Sequence, residues 1–257
     1  MRGIVLAAGK GSRLNGTAAD KPKCLVELGG LTLVERQIRT LENAGVDDVA
    51  VVVGCQADRV RARCGSGITY VDNPQYAHTN SLYSLWMARA LLYEGFVVLN
   101  CDVLFPPVLL DELLASRHDA ALLVDYRDPS QPPYGDEEMK VRIQAGRVLE
   151  MSKTLPAEKA DAENLGVVKF GPESAPRLIE IMDRLVGAGG RRDWAPKAFG
   201  AFAAERPLHA IGTHGYPWIE IDFPEDYRRA IRDVLPAIEA LERRPPFESA
   251  AEIGRGL

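Results

Sequence analysis

The sequence predicts an α/β fold: a doubly wound, mostly parallel sheet flanked by helices, with a small β-hairpin insert. Three observations predict it. In the first half, short β-rich runs alternate with amphipathic helical segments, the rhythm of βαβ units. The apolar run Phe96-Val97-Val98-Leu99-Asn100 is typical of a central strand. Lys140-Val141-Arg142-Ile143 and Arg147-Val148-Leu149-Glu150 are short strands joined through Ala145-Gly146, a pair that suits a hairpin.

The elements follow in order. A strand over 2–6 precedes a helix over about 33–44. That helix starts on a capping box, Thr32 with Glu35, and ends at Ala44-Gly45, where a C-terminal glycine belongs. A strand at 48–53, a short helix near 57–63 and a strand at 68–71 come next. A second helix begins near Asn80 or Ser81 and runs to Leu91, ahead of the 96–100 strand. After a strand at 120–125, residues 128–136 read as a loop, and the hairpin follows. A strand near 165–170, helices near 175–186 and 194–204, a strand near 208–212 and a final helix from about 224 complete the chain. Pro224 suits the first turn of that helix, and Pro236 predicts a kink or break within it. The whole reads as one Rossmann-like domain over 1–244, its insert at about 128–165, with a loosely held tail over 245–257.

Of 257 residues, 31 are Lys or Arg and 36 are Asp or Glu, a net charge of −5. Nucleic-acid binding rests on a surplus of cations that this chain lacks, so its cations serve local purposes. Cys24, Cys55, Cys64 and Cys101 show no CxxC spacing and read as buried thiols. No apolar run approaches a membrane span and no secretory signal pattern opens the sequence. The expectation is a cytoplasmic protein without membrane insertion.

Function is concentrated in the first thirty residues. The strand Ile4-Val5-Leu6 runs into Ala7-Ala8-Gly9-Lys10-Gly11-Ser12-Arg13-Leu14, and Lys21-Pro22-Lys23 follows. Gly9 and Gly11 let backbone approach an anion closely, while Arg13 and Lys23 supply fixed positive charge. The loop is not a dinucleotide fingerprint, because Leu14 stands where G-x-G-x-x-G needs its third glycine. Nor is it a Walker A loop, because its lysine lies between the two glycines. Asp102 stands just past the carboxyl end of the 96–100 strand, where ligands gather in open α/β sheets. It reads equally as a turn or cap aspartate ahead of Pro106-Pro107.

The segment Leu6-Ala7-Ala8-Gly9-Lys10-Gly11-Ser12-Arg13-Leu14, with Pro22-Lys23, resembles the signature LAAGxGxRL…PK of the nucleotidyltransferase superfamily, which makes nucleoside-diphosphate sugars and alcohols. Asn80-Ser81-Leu82-Tyr83-Ser84-Leu85, Asn100-Cys101-Asp102 and Trp218-Ile219-Glu220-Ile221-Asp222-Phe223-Pro224-Glu225-Asp226-Tyr227 are similar to phosphocholine and 2-aminoethylphosphonate cytidylyltransferases, and Met139-Lys140-Val141 with Gly146-Arg147-Val148, Ser152-Lys153-Thr154-Leu155 and Glu163-Asn164-Leu165-Gly166 are similar to their insert. The thymidylyltransferase pattern GxGTRLxPxT differs from this chain at Ser12, where it has Thr. The resemblance implies transfer of CMP from CTP to a small phosphorylated or phosphonate acceptor, with release of pyrophosphate. It implies Arg13 and Lys23 as catalytic cations, Leu6, Ala7, Ala8, Gly9, Gly11 and Ser12 as nucleotide-binding residues, and Mg2+ held by Asp102 and Asp222.

Other candidates are less specific. Gln56 could hydrogen-bond a pyrimidine edge, and Asn80 and Ser81 either cap their helix or reach the nucleotide. Lys140 and Lys153 are candidate partners for an anionic group of the acceptor. Tyr134 and Trp194 offer aromatic faces to a quaternary ammonium, with Glu220 a carboxylate beside them or a further metal ligand on the strand face of Asp222. A sugar-1-phosphate or inositol-phosphate acceptor stays open, as does a nucleotide-binding protein without turnover. A homo-oligomer is left open too, since Arg89, Leu91, Leu92 and the final helix suit an interface as well as a core.

Overall fold

The computed structural model describes residues 1–14, 21–130 and 132–243, so the tail expected over 245–257 lies outside the described residues. The chain opens with β1 (Arg2–Ala7) and a two-stranded ribbon, β2 (Glu27–Leu28) and β3 (Leu31–Thr32). Helix α1 (Leu33–Asn43) starts on the expected capping box: the Glu35 carboxylate accepts from the Thr32 N–H at 2.8 Å while the Thr32 hydroxyl accepts from the Glu35 N–H at 3.3 Å. Val34, Ile38 and Leu41 repeat at helical spacing and are buried. Leu41 seats directly over Gly3 of β1, where a Cβ would lie 2.7 Å from its Cδ1.

The alternation continues through β4 (Val49–Val53), α2 (Ala57–Cys64), β5 (Thr69–Asp72), α3 (Ser81–Met87) and β6 (Phe96–Asn100). Then come β7 (Val103–Leu104), α4 (Pro107–Ala115), β8 (Ala120–Tyr126), the hairpin strands β9 (Lys140–Gln144) and β10 (Arg147–Ser152), and β11 (Ala162–Phe170). Helices α5 (Ala175–Gly187) and α6 (Pro196–Glu205), strands β12 (His209–Gly212) and β13 (Ile219–Glu220), and helices α7 (Pro224–Arg229) and α8 (Leu235–Glu242) follow. Among the described residues, no helix is long and apolar enough to cross a membrane.

Nine strands form one sheet in the order β5-β4-β1-β6-β11-β8-β12-β10-β9. The neighbours β5, β4, β1 and β6 are parallel, as are β8 and β12. Strand β11 runs antiparallel to both β6 and β8, and β10 antiparallel to both β12 and β9. The expected mostly parallel sheet is thus corrected to a mixed one. The chain enters β11 from the hairpin through a short connection, without the crossover helix that a parallel pairing requires. Hydrophobic patterning reports burial, which is the same for either direction.

Helices cover both faces. Ile38, Leu41, Val60, Leu109 and Leu113 pack with Val51, Val53 and Leu99 on one side. Leu82, Leu85, Leu178, Phe199 and Phe202 pack with Ile4, Val52 and Phe170 on the other. All five residues of β4 are buried, as a central strand covered on both faces must be. Helix α4 goes beyond the expected elements: Pro107 occupies its first turn, where the missing N–H has no intrahelical partner to lose. Pro236 produces no break. A π-helical turn, Ala230–Val234, precedes it, and the proline falls in the first turn of α8. The hairpin turn is as expected, with φ of 49° at Ala145 and 73° at Gly146, both positive as a type I′ turn demands.

Candidate active site

The carboxyl ends of β1 and β6 lie side by side, Leu6 in register with Asn100, and open into a cleft of about 430 Å³. Gly9, Gly11, Arg13 and Lys23 line one wall, and Asn100, Cys101 and Asp102 line the floor. Gly54 lets the segment after β4 approach the loop: Cys55 N–H donates to the Ala8 carbonyl at 3.1 Å, and a Cβ on Gly54 would sit 2.8 Å from that oxygen. Gly11 has a φ of +66°, and a Cβ there would lie 2.5 Å from the Cβ of Lys23. The glycine therefore lets the loop lie directly against the Lys23 turn.

Asp222 reaches the same place from the far end of the chain. Strand β13 pairs with β7, and the Ile221 N–H donates to the Asp102 carbonyl at 2.9 Å. The cap of α7 is made by Asp226, whose carboxylate accepts from the Asp222 and Phe223 N–H groups at 3.0 and 2.7 Å. Asp222 is thereby relieved of capping and presents its carboxylate to the cleft.

Lys23 is the hub. Its Nζ donates to Asp102 Oδ2 at 2.6 Å and to Asp222 Oδ1, while Arg13 Nη2 donates to Asp222 Oδ2 at 2.9 Å. Burial by itself would lower the Lys23 pKa, but the two carboxylates outweigh it and hold the ammonium charged. Glu220 completes a trio in which one oxygen from each of Asp102, Glu220 and Asp222 lies within 4.8 Å of the others. Crowding by protein atoms, then the charges of Asp102 and Asp222, push the Glu220 carboxyl well above the usual range. Asp102 Oδ1 is buried with no hydrogen-bond partner. An unpartnered carboxylate oxygen among hard oxygen donors fits a divalent cation of the magnesium kind.

A second cluster spans the mouth. Glu137 Oε2 accepts from Arg13 Nη1 at 3.1 Å and from Lys153 Nζ at 3.2 Å, linking the glycine loop to the end of the hairpin. The Lys153 ammonium also lies 5.2 Å from the centre of the half-exposed Trp194 ring.

Leu6, Ala8, Gly9, Gly11, Arg13, Lys23, Asn80, Ser81, Asp102, Lys153, Trp194, Glu220 and Asp222 thus meet in one cleft. Asn80 and Ser81 are structural ties as well. Asn80 Oδ1 accepts from the Ser81 N–H at 2.8 Å, and Ser81 Oγ accepts from the Ala195 N–H at 2.8 Å, which fixes the Trp194 segment against α3.

Four expected residues do not line the cleft. Ala7 is in the core at the end of β1. Gln56 takes the N-cap of α2, its Oε1 accepting from Arg59 Nη1 at 2.6 Å. Lys140 is buried at the start of β9 and donates to the Gly135 carbonyl at 2.5 Å, and the Tyr134 hydroxyl donates to the Asp125 carbonyl at 3.2 Å. The Ser12 side chain lies outside the described residues. Lys10, Tyr76, Glu137 and Asn164 also line the cleft, none of them among the expected site residues. Lys10 and Asn164 had a signal in the segments that carry the resemblance, whereas Tyr76 and Glu137 had none.

A glycine loop with converging cations thus faces paired aspartates at the carboxyl edge of an α/β sheet, a donor set that would suit a polyphosphate and a divalent cation. The chain belongs to the MobA-like NTP transferase domain family, whose model matches residues 3–159. It is 34% identical over 237 residues to a bifunctional IPC transferase and DIPP synthase of Rubrobacter xylanophilus, covering 90% of this chain and 51% of that protein. It is 26% identical to a choline-phosphate cytidylyltransferase of Streptococcus pneumoniae, covering 89% of this chain and 96% of that one. The chain thus spans about half the length of the Rubrobacter relative and nearly all of the Streptococcus one. In fold it is similar to the inositol-1-phosphate CTP transferase of T. maritima, with a TM-score of 0.78 at 20% identity over 96% of this chain and 98% of that one.

Proposed function

We propose that this chain is a divalent-cation-dependent cytidylyltransferase that moves CMP from CTP to the phosphate of a small alcohol and releases pyrophosphate. The observation that carries the reading is the meeting of Arg13 and Lys23 with Asp102 and Asp222 beside the glycine loop. An acceptor phosphate oxygen would attack the α-phosphorus, and the demands of that step are positioning and neutralisation of charge. Arg13 can fork two phosphate oxygens while Lys23 acts as a point charge. Asp102 and Asp222 would hold Mg2+, which supplies charge neutralisation across the phosphate oxygens. Backbone at Gly9 and Gly11 lets the phosphates approach the loop.

For the acceptor, the geometry favours a phosphorylated polyol such as an inositol phosphate over a quaternary ammonium. Lys153 already lies against the Trp194 ring and the Tyr134 hydroxyl is bonded to the Asp125 carbonyl, so neither of these two rings is left open to a choline group. Lys153 would instead meet an acceptor phosphate. The carboxylates of Glu137 and Glu220 in the cleft support the second reading, a cationic acceptor such as phosphocholine or an aminophosphonate. The test is a panel of CTP, UTP, GTP, ATP and dTTP against inositol phosphate, phosphocholine, aminoethylphosphonate and sugar-1-phosphates, read as pyrophosphate release with Mg2+. CTP with inositol phosphate should lead. A lead for phosphocholine selects the second reading, and no release in any well refutes both.

A further inference from the structure

Three of the four carboxylate oxygens of Asp102 and Asp222 have a cationic side chain as partner. Lys23 Nζ takes Asp102 Oδ2 and Asp222 Oδ1, and Arg13 takes Asp222 Oδ2. Lys23 is 8% exposed, and its backbone is fixed in a short 3-10 turn: Val26 N–H donates to the Lys23 carbonyl at 3.0 Å, and Gly11 packs against its Cβ. The ammonium can therefore leave the carboxylates only by swinging its own stem. Asp102 Oδ1 is free, but both oxygens of Asp222 have a cationic partner, so a divalent cation bridging the two carboxylates meets the Lys23 ammonium that already bridges them. It must expel a buried ammonium, which is costly unless that charge finds another anion. A triphosphate on the Gly9–Gly11 loop is such an anion, within the same cleft.

We propose that Lys23 is a built-in competitor for the divalent cation: its ammonium holds the carboxylate pair in the free protein, so that the cation binds with the triphosphate and poorly without it. Lys23 exchanges the carboxylates for the phosphates as the two arrive. By linkage the coupling is reciprocal, so the cation strengthens triphosphate binding by the same factor as the triphosphate strengthens cation binding. The inference rests on the Asp102–Asp222 metal site of the proposed reaction, but not on its nucleotide base or its acceptor.

The experiment measures Mn2+ binding to the full chain without nucleotide, by calorimetry or by the electron paramagnetic resonance of free Mn2+. Lys23→Met should bind Mn2+ about ten-fold or more tightly than the wild type, a coupling of ordinary size. Arg13→Met removes an equal charge and frees Asp222 Oδ2, but it leaves the Lys23 ammonium between the two carboxylates, so it should gain much less. Adding Asp102→Asn to Lys23→Met should abolish the gain. Equal affinities in Lys23→Met and the wild type, or an equal gain in Arg13→Met, would overturn the proposal. A wild-type arm is independent of folding in the variants. Acetylation of Lys23, followed by mass spectrometry, should accelerate in step with Mn2+ occupancy, and Mn2+ bound with Lys23 labelling unchanged would also overturn it. Turnover enters none of these readouts, so failure of the proposed reaction and failure of this inference are separable.

Discussion

Replacing Gly11 by alanine strikes the contact on which the site depends. The residue sits at φ +66°, a region that costs a residue with a Cβ about 1–2 kcal/mol. The added Cβ would lie 2.5 Å from Lys23 Cβ and 3.0 Å from its Cα and N, against an ordinary carbon contact of about 3.5–4 Å. Two of those three atoms are backbone, so relief requires the glycine loop and the Lys23 turn to part by about 1 Å, a displacement that costs about 10²-fold in rate when it separates catalytic groups. Gly11→Ala should lose about 2 kcal/mol of stability, a fall of about 4–8 °C in Tm, and about 10²-fold in kcat. Gly9→Ala is the control, for nothing lies within 4 Å of its added Cβ and its φ is not positive. That variant should keep its Tm and show its effect in KM for the triphosphate. The assays are thermal unfolding followed by circular dichroism and initial rates of pyrophosphate release. An unchanged Tm and a kcat within two-fold of wild type for Gly11→Ala would refute the reasoning.

Three further outcomes follow from particular contacts. Asp102→Asn should lower Mg2+-dependent turnover by at least about 10²-fold with the far-UV spectrum retained, checked by rates across a Mg2+ titration. Burial, then Glu138 and Asp125, lift the Glu163 carboxyl from 4.5 to about 7, with Lys140 and Lys153 opposing. The folded chain therefore holds a proton that the unfolded chain has lost between those values, and stability falls as pH rises across that window. The full shift is worth about 3 kcal/mol, which solvent screening of a partly exposed side chain reduces to about 1–2, so Glu163→Gln should be the more stable protein at pH 8 and gain nothing at pH 4, read from urea unfolding at each pH. Thr32→Ala should cost about 1 kcal/mol through the lost cap on α1, with Thr32→Ser restoring most of it, measured by the same unfolding.

The parts of the molecule that depend on local rules were legible in the sequence. The capping box at Thr32 and Glu35, the type I′ turn at Ala145-Gly146 and the strand at 96–100 each follow from a few neighbouring residues. Strand direction does not, because β11 buries the same side chains whether it runs parallel or antiparallel to β6. Lys140 illustrates a second limit: a lysine beginning an alternating strand reads as facing a ligand, yet its ammonium satisfies the Gly135 carbonyl within the insert. Glu137 was hidden in a loop with no periodicity, and its bridge from Arg13 to Lys153 spans positions far apart in the chain. The pairing of Asp102 with Asp222 was legible only through resemblance. Its physical basis, the β7–β13 ribbon, rests on two residues from each strand, too few to leave a pattern.

In the proposed reaction an acceptor phosphate attacks the α-phosphorus of CTP in the cleft formed by Gly11, Lys23, Asp102 and Asp222. Phosphorus NMR of the full chain with CTP, Mg2+ and inositol phosphate tests it directly. A new diphosphate linkage between CMP and the acceptor should appear together with an equal amount of free pyrophosphate, and neither signal with Asp102→Asn. Inorganic phosphate accumulating with CDP, in place of pyrophosphate, would place attack at the γ-phosphorus and contradict it.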